Sequence, residues 1–173
     1  MGLHALVTVG STSFPVLTDY MLTSPALAHL HALGVHTLTV QHGAAALQAV
    51  PESCPLRVEA FPYTPDLAAH LDVADLVLSH AGAGTISEGL DKKKRMLVVV
   101  NDALMDNHQT ELAAAMAERG CCVMITANQL RERFHDAAEK AINLTEEDIC
   151  PPEKNQTAFA ALLAQLICTY DES

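Results

Sequence analysis

Residues 79–88 read SHAGAGTISE and follow directly on the apolar run Leu76–Leu78. A buried strand that ends at small residues and continues as a helix leaves several backbone N–H groups without partners, and the helix dipole adds positive potential there. Gly82 and Gly84 allow these amides to approach an anion closely, because a glycine carries no Cβ. Glu88 lies one helical turn beyond Gly84, where a carboxylate suits a ribose diol. The stretch therefore predicts a seat for a nucleotide diphosphate, and a nucleotide-sugar is the natural candidate.

This stretch differs from the two common nucleotide-binding motifs. Ser87 stands where the third glycine of the dinucleotide fingerprint would be, and the sequence contains no Walker A loop. The simpler interpretation is a tight strand-to-helix turn that needs glycine for packing alone. At the level of the sequence both interpretations stay open.

The composition indicates one α/β domain that does not bind nucleic acid. The chain has 173 residues, of which 50% are hydrophobic and 4% aromatic. Such a composition fits helices layered on a parallel sheet better than a β-sandwich. The formal net charge of −11 opposes nonspecific binding to nucleic acid or anionic lipid, since both need a positive field. Any phosphate site must therefore rest on backbone dipoles.

Short apolar runs alternate with helical segments along the chain, which predicts βαβ units and a Rossmann-like, doubly wound parallel sheet. The predicted strands are Leu3–Val9, Val35–Val40, Arg57–Ala60, Leu76–Leu78, Met96–Val100 and Cys122–Ile125. The predicted helices are Pro65–Leu71, Thr85–Leu90, Asn107–Arg119, Ala127–Ile142, Gln156–Thr169 and Pro15–Leu33, the last of which Ser24-Pro25 can interrupt.

A change in composition marks a boundary after residue 142. The stretch that follows contains Thr-Glu-Glu-Asp and Cys-Pro-Pro, and beyond it an apolar stripe at helical spacing includes Leu162 and Leu166. We therefore expect a nucleotide-sugar-binding domain over residues 1–142, a linker over 143–155 and a C-terminal helix over 156–173. That helix packs either on its own sheet or on a partner.

Four segments that follow predicted strands are candidates for the ligand site. They are Val9–Thr12, Phe61–Tyr63, 79–84 and Asn101–Gln109. Ligands of open parallel sheets bind beyond the carboxyl ends of the strands, so we expect these segments to meet at one edge. In the last segment Asp106 suits a helix cap. Asn107 and Gln109 carry amides that suit sugar hydroxyls and an acetamido group.

The cysteines and the hydropathy indicate a cytoplasmic location. Five cysteines, an odd number without CxxC spacing, favour a reducing compartment. The first residues predict a strand rather than a signal peptide, and no apolar run reaches membrane-spanning length. We therefore expect no transmembrane segment in this chain. The basic run Lys92–Arg95 is either a solvated helix end or a surface for a membrane or an acidic partner.

Four segments together resemble the donor-binding half of GT-B glycosyltransferases of family 28. They are VTVGSTSF at 7–14, SHAGAGTISE at 79–88, VVVN at 98–101 and LMDNHQTELA at 104–113. Within that family the chain is similar to the small cytosolic subunits of the UDP-GlcNAc transferases of asparagine-linked glycosylation. Two departures stand out: Lys93-Lys94-Arg95 occupies the place of a Gly-Lys-Pro turn, and Gly10-Ser11-Thr12 that of Gly-Thr-Thr. We expect the first of these turns to be built differently.

The resemblance implies how the nucleotide of UDP-GlcNAc is held. The turn from Gly82 to Thr85 would bind the diphosphate, Glu88 the uridine ribose, and the Gly10–Thr12 loop would close over the donor. Backbone near Phe61 and Pro62 would contact the uracil edge.

The resemblance also implies contacts with the sugar, in which Asp106 and Gln109 would bind the GlcNAc hydroxyls. From its place in the phosphate loop, His80 is predicted to donate to a phosphate oxygen, and neither His80 nor His108 is predicted to be the general base. The full set of predicted UDP-GlcNAc contacts is Gly10, Ser11, Thr12, Phe61, Pro62, His80, Gly82, Ala83, Gly84, Thr85, Glu88, Asn101, Asp106, Asn107 and Gln109.

The reaction implied by the resemblance is an inverting transfer of GlcNAc from UDP-GlcNAc to GlcNAc-PP-dolichol, giving GlcNAc2-PP-dolichol in the dolichol pathway. Only one half of the GT-B fold is present in this chain. The acceptor-binding half, the membrane anchor and the general base would belong to a second subunit, and the heterodimer would lie on the cytosolic face of the endoplasmic reticulum. That scheme needs no metal cofactor, and the sequence has neither HExxH nor Asp-x-Asp.

Two other functions fit the same residues. One is a UDP-GlcNAc 2-epimerase-like enzyme, whose chemistry needs a second domain that a partner would have to supply. The other is a non-enzymatic adaptor that binds a nucleotide-sugar and docks elsewhere through its C-terminal helix.

Overall fold

The computed structural model describes residues 2–101 and 107–149, with the backbone alone over 107–110. Its strands are β1 Leu3–Thr8, β2 Val35–Gln41, β3 Arg57–Phe61, β4 Leu76–His80, β5 Arg95–Val100 and β6 Val123–Thr126. Its helices are α1 Pro15–Met21, α2 Ser24–Ala32, α3 Ala68–Val73, α4 Ala83–Asp91, α5 Asn107–Glu118 and α6 Leu130–Ile142, with a 3-10 turn at Ala127–Gln129 before α6. All six predicted strands are confirmed, each to within two residues at its ends.

The six strands form one sheet in the order β3-β2-β1-β4-β5-β6. Every neighbouring pair is parallel. The chain proceeds outward from β1 to β3, then returns to place β4 on the other side of β1. The strand order therefore reverses between β1 and β4, which is where open α/β sheets bind their ligands. The predicted doubly wound parallel sheet is confirmed.

Helices cover both faces of the sheet, so the inner strands β1, β4 and β5 are mostly buried on both sides. On one face α1, α2 and α6 contribute Leu17, Leu30 and Phe134 to a core with Val7 and Leu78. The opposite core holds α3, α4 and α5 against the sheet residues that alternate with these along the strands. Because both faces are covered, the residues that can contact a ligand lie at the ends of the strands.

Two predicted helices differ from the observed ones for local reasons. Pro15–Leu33 is divided because the Leu22 and Thr23 N–H groups bond back to α1 carbonyls and Thr23 is extended (ψ 146°) before Pro25. The helix predicted from Pro65 begins at Ala68 instead. Here the Asp66 N–H bonds to Thr64 Oγ1 (3.1 Å), which favours a turn over a helix.

The basic run Lys92–Arg95 closes the turn between α4 and β5. Lys93 has a left-handed backbone (φ 55°), and the N–H groups of Lys93 and Lys94 bond to the Leu90 and Gly89 carbonyls at 3.0 and 2.9 Å. This is the Schellman pattern, in which glycine is the usual left-handed residue. The turn in this chain is thus a helix C-cap in which lysine takes the position that favours glycine.

The side chains of the same run bind carbonyl groups of neighbouring segments. Lys94 Nζ donates to the Asp72 and Ala74 carbonyls at the end of α3 (2.9 and 3.0 Å), and Lys92 pairs with the Asp72 carboxylate. Arg95 Nε donates to the Leu144 carbonyl at 2.8 Å, and Lys93 Nζ to that of Ile149. These intramolecular partners favour a structural role over a docking surface.

Residues 143–149, which the sequence assigns to the linker, lie against the domain. Ile149 is 1% exposed and joins the core with α3, α4 and α5, and Leu144 packs beside it. The remainder of the predicted linker and the predicted helix over 156–173 lie outside the described residues.

Candidate functional site

The carboxyl ends of the strands form one row across the sheet. Thr8 at the end of β1 pairs with Gln41 of β2 on one side and with Ser79 of β4 on the other. Gln41 in turn pairs with Phe61 of β3, and Ser79 with Val98 of β5. The segments that follow β1, β3, β4 and β5 therefore leave the same edge of the sheet, as the chain order predicts.

The start of α4 lies at this edge and presents the positive end of a helix dipole. Gly82 is its N-cap, with an extended backbone (φ −69°, ψ 122°) and no side-chain cap. The N–H groups of Ala83, Gly84 and Thr85 lie in the first turn, where an α-helix provides no acceptor for them. A Cβ at Gly84 would meet no atom within 4 Å. The helix start is thus open on the side where a phosphate would approach.

Gly10 and Gly82 meet across the imidazole of His80. Gly10 has φ +62°, and a Cβ there would lie 3.1 Å from His80 Cε1. A Cβ on Gly82 would overlap His80 Nε2. The packing interpretation therefore accounts for Gly82, and it does not account for Gly84.

His80 is largely buried between the two loops. Burial lowers its pKa, and the backbone of Thr8 opposes the shift more weakly. Its Nδ1 is buried without a hydrogen bond of normal geometry, as is the Oγ of the neighbouring Ser79. The ring is therefore neutral near pH 7, so that it can donate one hydrogen bond but carries no charge. Its predicted contact with a phosphate oxygen stays a prediction.

Glu88 occupies the turn of α4 that follows Gly84. It is half-buried, and its carboxylate makes no hydrogen bond within the described part of the chain. Positions four apart lie on one side of a helix. The carboxylate is thus available to a ligand that lies over the helix start, and its predicted contact with a ribose stays a prediction.

Gln41 is a site residue that the sequence predictions missed. Its side chain is 1% exposed and bonds to two segments at the edge, Thr8–Gly10 and Pro62. Oε1 accepts from Thr8 Oγ1 (2.7 Å) and from the Val9 and Gly10 N–H groups (3.1 and 2.9 Å). Nε2 donates to the Gly10 and Pro62 carbonyls (2.6 and 2.8 Å). The available signal was a glutamine at the carboxyl end of a predicted strand, where open parallel sheets bind their ligands.

The loop Gly10–Thr12 is closed by its own hydrogen bonds. Thr12 donates to the Val9 carbonyl from its N–H (3.2 Å) and from Oγ1 (2.7 Å). The Gly10 and Thr12 N–H groups are bonded within the protein, whereas the Ser11 N–H makes no hydrogen bond among the described residues, and the Ser11 side chain is exposed.

The end of β3 is partly occupied by protein contacts. The Pro62 carbonyl accepts from the Gly43 N–H (2.7 Å) and from Gln41, while the Phe61 carbonyl accepts from the His42 N–H (3.1 Å). Proline has no N–H, so Pro62 has no free backbone position for a base. The Phe61 carbonyl retains a second lone pair, and the Phe61 ring stacks on His70 with centroids 4.5 Å apart.

The sugar-binding part of the predicted site is described only in part. Asn101 follows β5 at the same edge, is half-buried and has an intramolecular partner. Asp106 lies outside the described residues, as do the side chains of Asn107, His108 and Gln109. The backbone of α5 begins at Asn107.

The described residues show neither a metal-binding cluster nor a membrane-spanning helix. No group of three or more His, Cys, Asp or Glu side chains there could hold a metal ion. None of the helices in that part of the chain is both long enough and apolar enough to cross a bilayer.

Residues 4–167 match the model of the glycosyltransferase family 28 C-terminal domain. The chain belongs to this family. The expected membership is thereby confirmed, and the glycine turn, the Gly10 loop and Glu88 lie in a glycosyltransferase domain.

Several curated proteins are similar to this chain in sequence. The protein named UDP-N-acetylglucosamine transferase subunit ALG13 in Mus musculus is 42% identical over 122 residues. The protein of the same name in Cryptococcus neoformans is 33% identical over 159 residues.

The extent of these matches differs between relatives. The mouse match covers 68% of this chain but 10% of the mouse protein, and the Cryptococcus match covers 74% of this chain and 80% of the other protein. The human relative, at 40% identity, is likewise matched over 10% of its length. The family 28 domain described here thus spans about a tenth of the mammalian relatives.

Solved structures share the family 28 fold. An NMR structure of ALG13 superposes with a TM-score of 0.64 at 23% identity, over 97% of this chain and 98% of that one. The crystal structure of Acinetobacter baumannii MurG gives a TM-score of 0.64 at 22% identity, over 95% of this chain and 50% of MurG. At these sequence identities the similarity shows a shared fold only.

Proposed function

We propose that this chain is the donor-binding subunit of an N-acetylglucosaminyltransferase. It binds UDP-GlcNAc, and with a partner subunit it transfers GlcNAc, with inversion, to GlcNAc-PP-dolichol to give GlcNAc2-PP-dolichol. The observation that carries the proposal is the uncapped start of α4 beside the Gly10 loop, with the half-buried Glu88 carboxylate one turn further, which makes no hydrogen bond among the described residues. The names of the mouse and Cryptococcus relatives support the choice of UDP-GlcNAc as donor.

The role of this site in the reaction is to stabilise the departing UDP. Negative charge builds on the diphosphate as the bond to the sugar breaks. We expect the first-turn N–H groups of α4 and the Ser11 N–H to donate to the oxygens on which that charge develops. Fixed dipoles of this kind are effective because they need no rearrangement during the reaction. We assign no metal to this step.

The general base is assigned to the partner subunit. His80 is enclosed between Gly10 and Gly82, so its ring is not placed to reach an acceptor hydroxyl. It is better placed to support the two loops and to donate to a phosphate. His108 lies at the start of α5, and we assign it no role in proton transfer.

The partner is proposed to be a membrane-anchored, acceptor-binding subunit. The word "subunit" in the names of the relatives supports a second component. Such a partner would hold this chain at the cytosolic face of the endoplasmic reticulum, where a lipid-linked acceptor is accessible.

The experiment is GlcNAc transfer from UDP-GlcNAc to a GlcNAc-PP-lipid acceptor, with this chain alone, with the partner subunit, and with Glu88→Ala in the complex. We expect transfer only with both subunits, and a loss on the order of 10²-fold in kcat/KM for the variant, about 2.7 kcal/mol of transition-state stabilisation. Glu139→Ala is the matched control, because Glu139 is an exposed carboxylate on α6 and not on the α4 turn.

Three results would contradict the proposal. UDP-GlcNAc binding without transfer, in a complex of verified assembly, would favour the adaptor. Formation of the 2-epimer of the donor would favour the epimerase. Equal activity of Glu88→Ala and Glu139→Ala would show that Glu88 does not bind the ribose.

A further inference from the structure

We propose that Gln41 is a positioning residue that holds the Gly10 loop and the end of β3 in the geometry required to bind the donor nucleotide. The inference rests on the proposed function, since it concerns the same site. Gln41 itself does not contact the ligand, because it is 1% exposed and all of its polar positions are used within the protein.

Gln41 completes the hydrogen bonding of backbone that the sheet leaves unpaired. Thr8 and Gln41 form the last pair of the β1–β2 ladder, so Val9 and Gly10 have no facing strand. The Gln41 amide takes the place of the missing strand: its oxygen accepts from both N–H groups and its nitrogen donates to the Gly10 carbonyl. The left-handed Gly10 (φ +62°) is thereby bonded on both of its polar atoms.

The same amide joins two parts of the proposed site. Its second N–H donates to the Pro62 carbonyl at 2.8 Å, and the Gly43 N–H bonds to that carbonyl at 2.7 Å. The loop at Ser11, proposed to bind the diphosphate, and the backbone at Phe61, proposed to contact the uracil, are therefore both held by the buried Gln41 amide. A displacement of this group would alter both sides at once.

Gln41→Glu is the most informative substitution. It keeps the shape of the side chain and the oxygen that accepts from Thr8, Val9 and Gly10. It replaces the two N–H donors with an oxygen that faces the Gly10 and Pro62 carbonyls, which the structure places 2.6 and 2.8 Å from the nitrogen. Oxygen facing oxygen is repulsive, and a protonated glutamic acid restores one donor. The defect should therefore diminish as the pH falls.

The experiment measures UDP affinity of the full chain by titration calorimetry from pH 8 to pH 5.5, and KM and kcat of the assembled complex. We expect Gln41→Glu to weaken UDP binding and to raise the KM for UDP-GlcNAc by on the order of 10- to 100-fold at pH 8. The change in kcat should be smaller, and the ratio to wild-type affinity should recover toward pH 5.5.

Thr39→Val is the matched control. Thr39 lies two residues earlier on β2, is 2% exposed, and bonds to His4 Nε2 at 2.8 Å. Its replacement removes a buried hydrogen bond from the same strand without touching the edge of the sheet. We expect a lower melting temperature with unchanged UDP affinity. If Gln41→Glu and Thr39→Val affect UDP affinity equally, the positioning role is overturned.

Thr8→Val is the second test of the positioning role, for use if the Gln41→Glu variant does not fold. It removes one partner of the Gln41 oxygen while leaving the amide and its four backbone bonds. UDP affinity should fall a few-fold, and unchanged affinity would overturn the inference. Wild-type chain and complex that do not bind UDP would instead contradict the proposed function. Amide exchange at Gly10 and Ser11 then still reports whether Gln41→Glu loosens the loop.

Discussion

Gly82 and Gly84 stand two residues apart at the start of α4, yet their surroundings differ. A Cβ at Gly84 would meet open space, whereas one at Gly82 would overlap His80. We predict that Gly84→Ala raises the free energy of unfolding by about 0.5–1 kcal/mol, because alanine favours a helix. The added methyl group lies over the uncapped amides, so UDP affinity should fall on the order of tenfold, about 1.4 kcal/mol.

Gly82→Ala is the companion variant, and it should lower the free energy of unfolding by about 1–3 kcal/mol, because the buried His80 ring must move. Urea denaturation and UDP titration calorimetry of both variants measure the two effects separately. If Gly84→Ala bound UDP as tightly as the wild type, the diphosphate would not lie over this turn.

At the residue scale the sequence identifies the glycine turn but not what each glycine does. The distinction depends on the His80 ring, which lies between Gly10 and Gly82 although seventy positions separate it from Gly10. Gln41 was missed for the same reason, because its partners at Thr8–Gly10 and Pro62 are distant in sequence. Local patterns predict which backbone can bind an anion. They do not predict which side chain supports it.

At the scale of secondary-structure elements, the turn from α4 to β5 determines how β5 enters the sheet beside β4. Lys93 takes a left-handed backbone there (φ 55°), where a residue with a Cβ is strained. Its side chain offsets part of that strain by donating to the Ile149 carbonyl. The glycine-free sequence of the run gives no local signal for this conformation, which is why a different turn was expected.

We predict that Lys93→Gly is more stable than Lys93→Ala by about 1 kcal/mol, because both lack the amine but only alanine retains the left-handed strain. Urea denaturation of the two variants gives the difference in the free energy of unfolding. Amide exchange of Ile149 should rise in both, since both lose one of the contacts that hold 143–149, while the Arg95 hydrogen bond and the core packing remain. Equal stability of the two variants would mean that the turn is not left-handed in solution.

At the scale of the whole molecule, the strand order is what brings the site together. Gly10 follows β1 and Gly82 follows β4, and these strands become neighbours only because the chain reverses direction across the sheet after β3. Periodicity and chain order predicted a doubly wound parallel sheet with these loops at one edge, since parallel βαβ units permit few arrangements, but they did not predict the strand order. The hydrogen bonds that lock the loops together depend on side-chain geometry at the finished edge, which the sequence pattern does not encode.

The final prediction concerns stability as a function of pH. Burial lowers the pKa of three histidines that join different parts of the molecule: His4 between β1 and β2, His29 stacked on His135 between α2 and α6, and His80 between the two site loops. For each, the unfolded chain binds a proton more readily than the folded one. Their contribution to stability is therefore complete above pH 6.5 and is lost as the pH falls through the folded pKa values.

We expect the melting temperature to fall between pH 6.5 and pH 5, since each such histidine adds at most about 1.4 kcal/mol per pH unit, and the partly exposed His4 and His29 add less. His29→Gln should make the decline shallower, because the substituted side chain does not titrate. Asp148→Asn is the control: hydrogen bonds from Thr145 lower the Asp148 pKa, so its contribution is lost only below pH 3.8. A decline that Asp148→Asn reduces as much as His29→Gln would show that carboxylates, not buried histidines, control acid stability.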